Sequence, residues 1–355
     1  MDNLKFKSML IVLILFSMGC TKVQYIFEQG LGQASLFMNA RENNKVLEDP
    51  FIPDKTKEKI KKIKNYRAFF YKYFKKKERD HYKKTTLLKN DAVTYLITAS
   101  PFDRIDPKKE CFPIVGCFPY LGFFDKESAK EYKRNLEKKG WVTWIRPVYA
   151  YSTLGNFNDP ILSSFFRYDD EVLAELIFHE LFHTIYFVKN EVQLNENLAN
   201  FFAGELIPMY FSWSPEREQK RRKSRESFKS LERQVVGLVK DLQTRYEKIN
   251  GSSRSIYQKT LTRFLKDKFF PHIRSFCHKK NIPLKKCYPL NKKWNNASFA
   301  GFLTYEEESI KIEKLKKVLQ LNLLEFLKYL EQKDKEYEKT VDRKGFSTFL
   351  FTPLD

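Results

Sequence analysis

The chain has little glycine and proline, with 12 Gly and 14 Pro among 355 residues. Collagen-like and low-complexity disordered proteins contain far more of both, so these two classes are excluded. The apolar run at residues 9–18 is too short to cross a bilayer. Aromatic residues, in contrast, are abundant, with 33 Phe and 19 Tyr, and 42% of the chain is hydrophobic. The composition therefore indicates a folded globular protein with a sizeable core.

Acidic residues are scarce relative to basic ones. The chain has 44 Asp and Glu against 65 Lys and Arg, which gives a formal net charge of +21. Such a charge favours anionic partners, among them nucleic acid, lipid headgroups and acidic polymers of a cell envelope. Charge alone does not choose among these partners.

The first twenty residues favour export. Lys5 and Lys7 precede the apolar run at 9–18, as in a signal peptide, and a small residue, Gly19, then precedes Cys20. This end resembles a bacterial lipobox, which implies that residues 1–19 are removed and that Cys20 carries the lipid. We therefore expect a lipid-anchored protein of the bacterial cell envelope, facing the periplasm or the cell exterior, with no nucleic-acid partner. Ordinary secretion and an uncleaved anchor are the alternatives.

The remaining four cysteines agree with an oxidising compartment. They form two local pairs in the sequence, Cys111 with Cys117 and Cys277 with Cys287. Two short-loop disulfides are the natural interpretation outside the cytoplasm, and four free buried thiols are the alternative.

Hydrophobic periodicity predicts an α+β fold dominated by helices, with a small mixed β-sheet. After a helix at 22–41, alternating residues indicate two strands, 93–97 and 141–149, with a helix at 126–139 between them. Beyond residue 168 the pattern is helical, with predicted helices at 170–189, 194–211, 215–249, 254–279 and 308–334. We predict one domain over 20–355, with an α+β part at about 20–168 and a helical part at about 169–355.

One motif in the helical part can carry chemistry. His179-Glu180-Leu181-Phe182-His183 is an HExxH sequence in a chain that has only 5 His. On a helix, residues four apart project from the same face, so both imidazoles can hold one divalent ion. Glu180 then stands beside the open position of the metal, where its carboxylate can take a proton from water and pass it to the leaving amine.

A catalytic zinc needs a third protein ligand. The first helix should end near residues 189–190, and an antiparallel second helix would bring Glu196 back over it. Glu191 is an alternative within the turn, and Glu205 lies more than two helical turns further away. Two imidazoles and a carboxylate would also accept cobalt or manganese.

HExxH followed by Asn195-Glu196-x-x-Ala199 resembles the gluzincin metallopeptidases, and this resemblance implies a zincin-like fold. It also implies that His179, His183 and Glu196 bind one zinc ion and that Glu180 is the general base. Asn195 would hold a ligand histidine in place by a hydrogen bond.

A second resemblance covers most of the chain. Gly19-Cys20, the segments 111–117 and 150–155, Asp159-Pro160 and the segment 176–178 are similar, in this order, to the bacterial "putative aminopeptidase" family of exported, often lipid-anchored proteins. The resemblance implies aminopeptidase activity on a peptide substrate.

Other residues are candidates for substrate binding and catalysis. An edge strand at 149–154, just before the active-site helix, could pair with the peptide backbone through Tyr151 and Ser152, although a plain core strand is the alternative. Asp159 could bind the free amine of the substrate. Tyr305, or else Tyr151, could stabilise the oxyanion of the tetrahedral intermediate as a catalytic donor.

The leading hypothesis is a zinc peptidase of the cell envelope. The first alternative is a non-catalytic envelope lipoprotein with a structural or vestigial metal site. The second is an anion-binding module that uses the basic run at 217–225, for which a solvated helix face is the simpler interpretation.

Overall fold

The computed structural model describes residues 20–112, 116–151, 153, 157–303, 309–340 and 345–352. Its helices are α1 (Cys20–Met38), α2 (Asn43–Glu48), α3 (Asp54–Phe74), α4 (Lys126–Lys138), α5 (Asp170–Phe182), α6 (Val192–Tyr210), α7 (Pro215–Glu247), α8 (Arg254–Phe264), α9 (Phe270–Lys279), α10 (Asn296–Leu303), α11 (Ser309–Leu319), α12 (Leu323–Glu338) and α13 (Phe346–Phe351). Its strands are β1 (Arg41–Glu42), β2 (Lys84–Thr86), β3 (Thr94–Ser100), β4 (Glu110–Phe112), β5 (Gly116–Phe118), β6 (Leu121–Phe123), β7 (Val142–Val148) and β8 (Ile161–Leu162). The predicted helix-dominated α+β class is confirmed.

The strands form three small sheets. β3 lies between β6 and β7 in a fully antiparallel sheet, with Ile97 opposite Ile145. β2 pairs with β1 antiparallel and with β8 parallel, and β4 and β5 form a hairpin. The strands predicted at 93–97 and 141–149 are therefore confirmed as β3 and β7, and the helix predicted between them is α4.

An aromatic-rich core surrounds the helix pair α5 and α6. The rings of Phe182 on α5 and Phe202 on α6 stack with centroids 4.4 Å apart, and Phe178 packs against Tyr66 of α3 and Tyr210 of α6. The largest buried cluster draws on α3, α5, α6 and α12, so both predicted parts of the chain contribute to it. The two helices that carry the motif residues are thus part of the largest buried cluster.

Several helix boundaries differ from the prediction. The helix predicted at 170–189 ends at Phe182, where the Thr184 hydroxyl donates to the Leu181 carbonyl and the backbone N–H of Ile185 donates to the Phe182 carbonyl in a turn. Apolar residues after the helix, such as Tyr186, are buried as part of a loop and therefore imitate helical periodicity.

The helix predicted at 308–334 is two helices, α11 and α12. Gln320 has a φ of 52° between them, and Asn322 and Glu325 form a reciprocal capping box that starts α12. In contrast, the predicted segment 254–279 is helical throughout, since α8 and α9 are joined by a π-helical turn, Leu265–Phe269.

Both predicted disulfides are present. Cys111 and Cys117 join β4 to β5, and Cys277 on α9 joins Cys287. Across the ranges described, no helix is both long and apolar enough to traverse a lipid bilayer.

Candidate metal centre

α5 places two imidazoles on adjacent turns. Asp169 caps the start of the helix by accepting a hydrogen bond from the backbone N–H of Val172 at 2.9 Å. The helix ends at Phe182, so His183 occupies the C-cap position, one turn after His179. The Nε2 atoms of the two histidines lie 3.3 Å apart. Both imidazoles therefore direct their Nε2 atoms toward one shared position.

Asn195 sets the start of α6. Its side-chain Oδ1 accepts from the backbone N–H of Val188 at 2.9 Å, and its Nδ2 donates to the carbonyl of Val188 at 2.7 Å. These two buried bonds hold the connection between the helices as a tight turn. Glu196, the next residue, consequently faces α5.

Glu196 completes a triangle of three candidate ligand side chains, which we call the donor triangle. Its Oε2 lies 3.3 Å from His179 Nε2, and its Oε1 lies 3.5 Å from His183 Nε2. Donor atoms bound tetrahedrally at the usual zinc distances of about 2.0–2.2 Å lie about 3.3–3.6 Å from one another. The donor spacing and the donor set, two imidazoles and a carboxylate, therefore both fit a zinc ion.

The triangle is buried on one side and open on the other. The His183 side chain is fully buried, whereas the Glu196 side chain is 42% exposed. Glu180 contributes a carboxylate oxygen within 4.8 Å of the ligand nitrogens of both histidines. A carboxylate thus stands next to the candidate metal position, where a general base is needed.

Asn200 occupies the role expected for Asn195. Its Oδ1 lies 2.9 Å from His179 Nδ1, while Asn195 contacts the backbone of Val188 instead. Helical spacing explains why Asn200 and not Asn195 contacts His179. Asn200 is one turn beyond Glu196 on the face toward α5, whereas Asn195 points into the turn. A hydrogen bond at Nδ1 leaves Nε2 directed at the metal position.

The three groups shift one another's pKa values. Burial, followed by the charge of the neighbouring His179, lowers the pKa of His183 to about 4. Burial also disfavours protonated His179, but its hydrogen bond to Glu196 and the charges of Glu180 and Glu196 outweigh this, so its pKa is raised. Burial tends to raise the pKa of Glu196, yet the contact with His179 brings it below its ordinary value. One imidazole stays neutral and one carboxylate stays ionised, which are the forms that bind a metal.

Two alternative ligands lie elsewhere. Glu191 precedes α6 and accepts from the backbone N–H of Ser347 at 3.2 Å. Glu205 pairs with Lys316 of α11 at 3.2 Å. Neither contact involves the histidine pair.

Asp159 is a structural residue rather than a site for the substrate amine. It is 3% exposed, and its Oδ2 accepts from the backbone N–H of Thr153 at 2.9 Å and from the Thr153 hydroxyl at 3.0 Å. A carboxylate buried on its own loop has no open face for a ligand.

The edge strand expected at 149–154 does not form among its described residues, 149–151 and 153. β7 ends at Val148, and side chains then satisfy the backbone, because Ser164 donates to the Tyr149 carbonyl at 2.5 Å. Tyr151 is half-buried, and its ring packs on that of Phe124 at 5.5 Å. Ser152 and Tyr305 lie outside the described residues.

Most of the basic run at 217–225 is exposed, as expected of a solvated helix face, but several of its arginines pair with carboxylates. Arg217 pairs with Glu171, and Arg221 pairs with Glu175 at 2.6 Å, so α7 is bound to the outer side of α5. Both guanidinium groups also stack on Trp213, at 4.5 and 5.1 Å. The sequence signal for this contact was the spacing of Glu171 and Glu175, which lie four residues apart on α5 and match Arg217 and Arg221 on α7.

The site thus combines two helical imidazoles, a carboxylate from the antiparallel helix and a second carboxylate beside them. A family model described as "Putative aminopeptidase" matches residues 24–343. The chain belongs to this family, whose description supports a peptidase role. No curated protein and no solved structure matches the chain.

Proposed function

We propose that the protein is a zinc-dependent peptidase, acting as an aminopeptidase in the bacterial cell envelope and anchored there by a lipid on Cys20. The observation that carries the proposal is the donor triangle, in which the Nε2 atoms of His179 and His183 lie 3.3 Å from each other and each lies 3.3 to 3.5 Å from a carboxylate oxygen of Glu196. The family assignment supports the peptide substrate.

Each residue has a defined role in this proposal. His179, His183 and Glu196 hold the ion, and Asn200 orients the His179 ring through Nδ1. When bound, zinc supplies Lewis-acid chemistry that polarises a carbonyl and makes water more acidic. Glu180 takes the proton from the attacking water and delivers it to the amine that leaves. No covalent acyl-enzyme is needed.

The ligand set can be tested with two matched substitutions on α6. Glu196→Gln should lower the zinc affinity of the purified protein by at least about tenfold, since a neutral amide is a poor ligand for zinc. Glu205→Gln changes the same residue type on the same helix and should keep the wild-type affinity. Equal zinc affinity in both variants would contradict Glu196 as a ligand.

The activity can be tested with paired peptides, one with a free amine and one acetylated at that amine. We expect that a chelator stops cleavage of the free-amine peptide, that added zinc restores it, and that the acetylated peptide resists. Cleavage that survives complete metal removal would contradict the metallopeptidase proposal. Equal cleavage of both peptides would contradict only the aminopeptidase part.

A further inference from the structure

Helix α1 is fastened to the protein by one face only. On that face the Tyr25 hydroxyl donates to the carbonyl of Gly122 at 2.9 Å, and the backbone N–H of Phe124 donates to Gln29 at 3.3 Å. One and two turns further, Gly32 packs against the Phe124 side chain, and the Leu36 carbonyl accepts from Thr86 at 2.7 Å. α1 therefore has a fixed orientation on the body of the protein.

The opposite face of α1 is apolar and exposed. Phe27, Leu31, Ala34 and Met38 follow one another at intervals of four, three and four residues, and therefore lie within about 60° of each other around the helix axis. The side chains of Phe27, Leu31 and Met38 are 67%, 57% and 84% exposed. We call these four residues the outer stripe. It is about 16 Å long, and in the described part of the chain it stays open to solvent.

The position of the predicted lipid anchor indicates what covers the outer stripe. α1 begins at Cys20, so no spacer separates the expected acylated residue from the helix. Phe27, the first member of the stripe, is seven residues further along, which is about 10 Å on a helix. Acyl chains attached at Cys20 insert into the bilayer, and they would therefore hold the start of the stripe at the level of the headgroups.

Two further features favour a lipid surface over a protein partner. Phe51 is 91% exposed in the loop after α2, and its backbone N–H is held by Asp49, the ion-pair partner of Arg41 just beyond α1. Phe51 thus adds an exposed apolar side chain, outside the stripe, near its far end. The net charge of +21 also favours a membrane with anionic headgroups.

We infer that α1 is an interfacial helix whose outer stripe sits at the boundary of headgroups and acyl chains, in a bilayer that contains anionic lipid. The helix then holds the catalytic body flat against the membrane instead of letting it move freely on a tether. This inference rests on acylation of Cys20 and not on the metal centre.

Tryptophan quenching by brominated lipids tests the inference on the intact mature lipoprotein. Leu31→Trp and Met38→Trp report from the outer stripe. The emission of the four native tryptophans is measured in the unsubstituted protein and subtracted. In vesicles of brominated phosphatidylcholine and phosphatidylglycerol we expect the added emission of both variants to fall about twofold, because an interfacial helix inserts to a depth of about 5–10 Å. Added emission that is unchanged by bromine would overturn the inference.

Leu284→Trp is the matched control. Leu284 is also an exposed apolar residue, but it lies in the α9 region, whose buried cluster contains no residue of α1. Its added emission should not change with bromine, and equal quenching at positions 31 and 284 would contradict a specific membrane-facing stripe.

The intact mass of the purified protein shows whether Cys20 is acylated, so a missing anchor is distinguished from a stripe that faces away from lipid. In acylated Leu31→Trp the added tryptophan could be shielded from water and yet not quenched by the brominated lipid. Another protein segment or a second copy would then cover the stripe, and the inference would be wrong.

Discussion

Asn200 has a direct contact with a predicted ligand, and its loss should weaken metal binding. Removing the amide in Asn200→Ala frees the His179 ring, so we expect zinc affinity to fall by about 10–100-fold in a chelator competition assay. Asn197→Ala is the control, because Asn197 bonds only to the carbonyl of Gln193 on its own helix. If Asn200→Ala and Asn197→Ala bind zinc equally, Asn200 does not orient His179.

His81 makes the stability of the protein sensitive to acid. Burial, followed by the charge of Arg79, lowers its pKa to about 4 in the folded protein. The unfolded chain, with a pKa of about 6.5, binds the proton first as the pH falls, so folding is weakened between pH 6.5 and pH 4. The free energy of unfolding should decrease by up to about 3 kcal/mol over this window through His81 alone.

Denaturant titrations of wild-type protein and His81→Gln at several pH values test this prediction. The variant should lose less stability than the wild type between pH 6.5 and pH 4, whatever its absolute stability. His183 titrates in the same window in both proteins, so its contribution cancels in the comparison. Parallel pH profiles would show that His81 is not responsible.

At this scale the sequence predicted which candidate ligands lie together better than it predicted the residues that support them. The spacing of His179 and His183 and an antiparallel return for Glu196 were enough to predict the three donors. The supporting amide was misassigned, because the motif resemblance pointed to Asn195 while helical spacing from Glu196 points to Asn200. The burial of Asp159 depends on a hydrogen-bonded loop that residue spacing does not indicate.

At the scale of elements, two glycines on α1 form a matched pair. A Cβ on Gly32 would lie 2.4 Å from the Phe124 ring and 2.6 Å from its Cβ, whereas a Cβ on Gly30 would meet nothing within 4 Å. Gly30→Ala should therefore stabilise the protein by up to about 1 kcal/mol through helix propensity. Gly32→Ala should destabilise it by about 1–3 kcal/mol, because α1 must move away from Phe124.

Chemical denaturation of both variants measures the difference in unfolding free energy. A larger stability for Gly32→Ala than for Gly30→Ala would contradict the packing of α1 on Phe124. The same result would remove the basis for an outer stripe of fixed orientation.

The locations of helices were easier to predict than the residues at which they end. The amphipathic pattern correctly located α1, α4, α6 and α7, and Ser214-Pro215 correctly marked the start of α7. The end of α5 was placed too late, since buried loop residues such as Tyr186 and Val188 continue the apolar pattern. The strand expected after β7 was wrong for a related reason, because side chains of Ser164 and Asp159 satisfy backbone groups that a sheet would pair.

At the scale of the whole molecule, the sequence correctly predicted the helix-dominated α+β class and both disulfides. The ties between α5 and α7 were not predicted, because they depend on a packing of distant helices that brings Glu175 to Arg221. The basic run is a surface feature, as the sequence indicated, and two of its arginines also tie α7 to α5.

The central claim is that α5 and α6 form a zinc site whose base is Glu180. The most direct test is the zinc content and free-amine peptide turnover of the purified full-length protein, measured side by side for wild type and Glu180→Gln. We predict one zinc per chain in both proteins and a loss of turnover of about 10²–10⁴-fold in the variant, since the substitution removes the base and leaves the ligands. Absence of zinc from both proteins after reconstitution, or equal turnover with zinc bound, would contradict the claim.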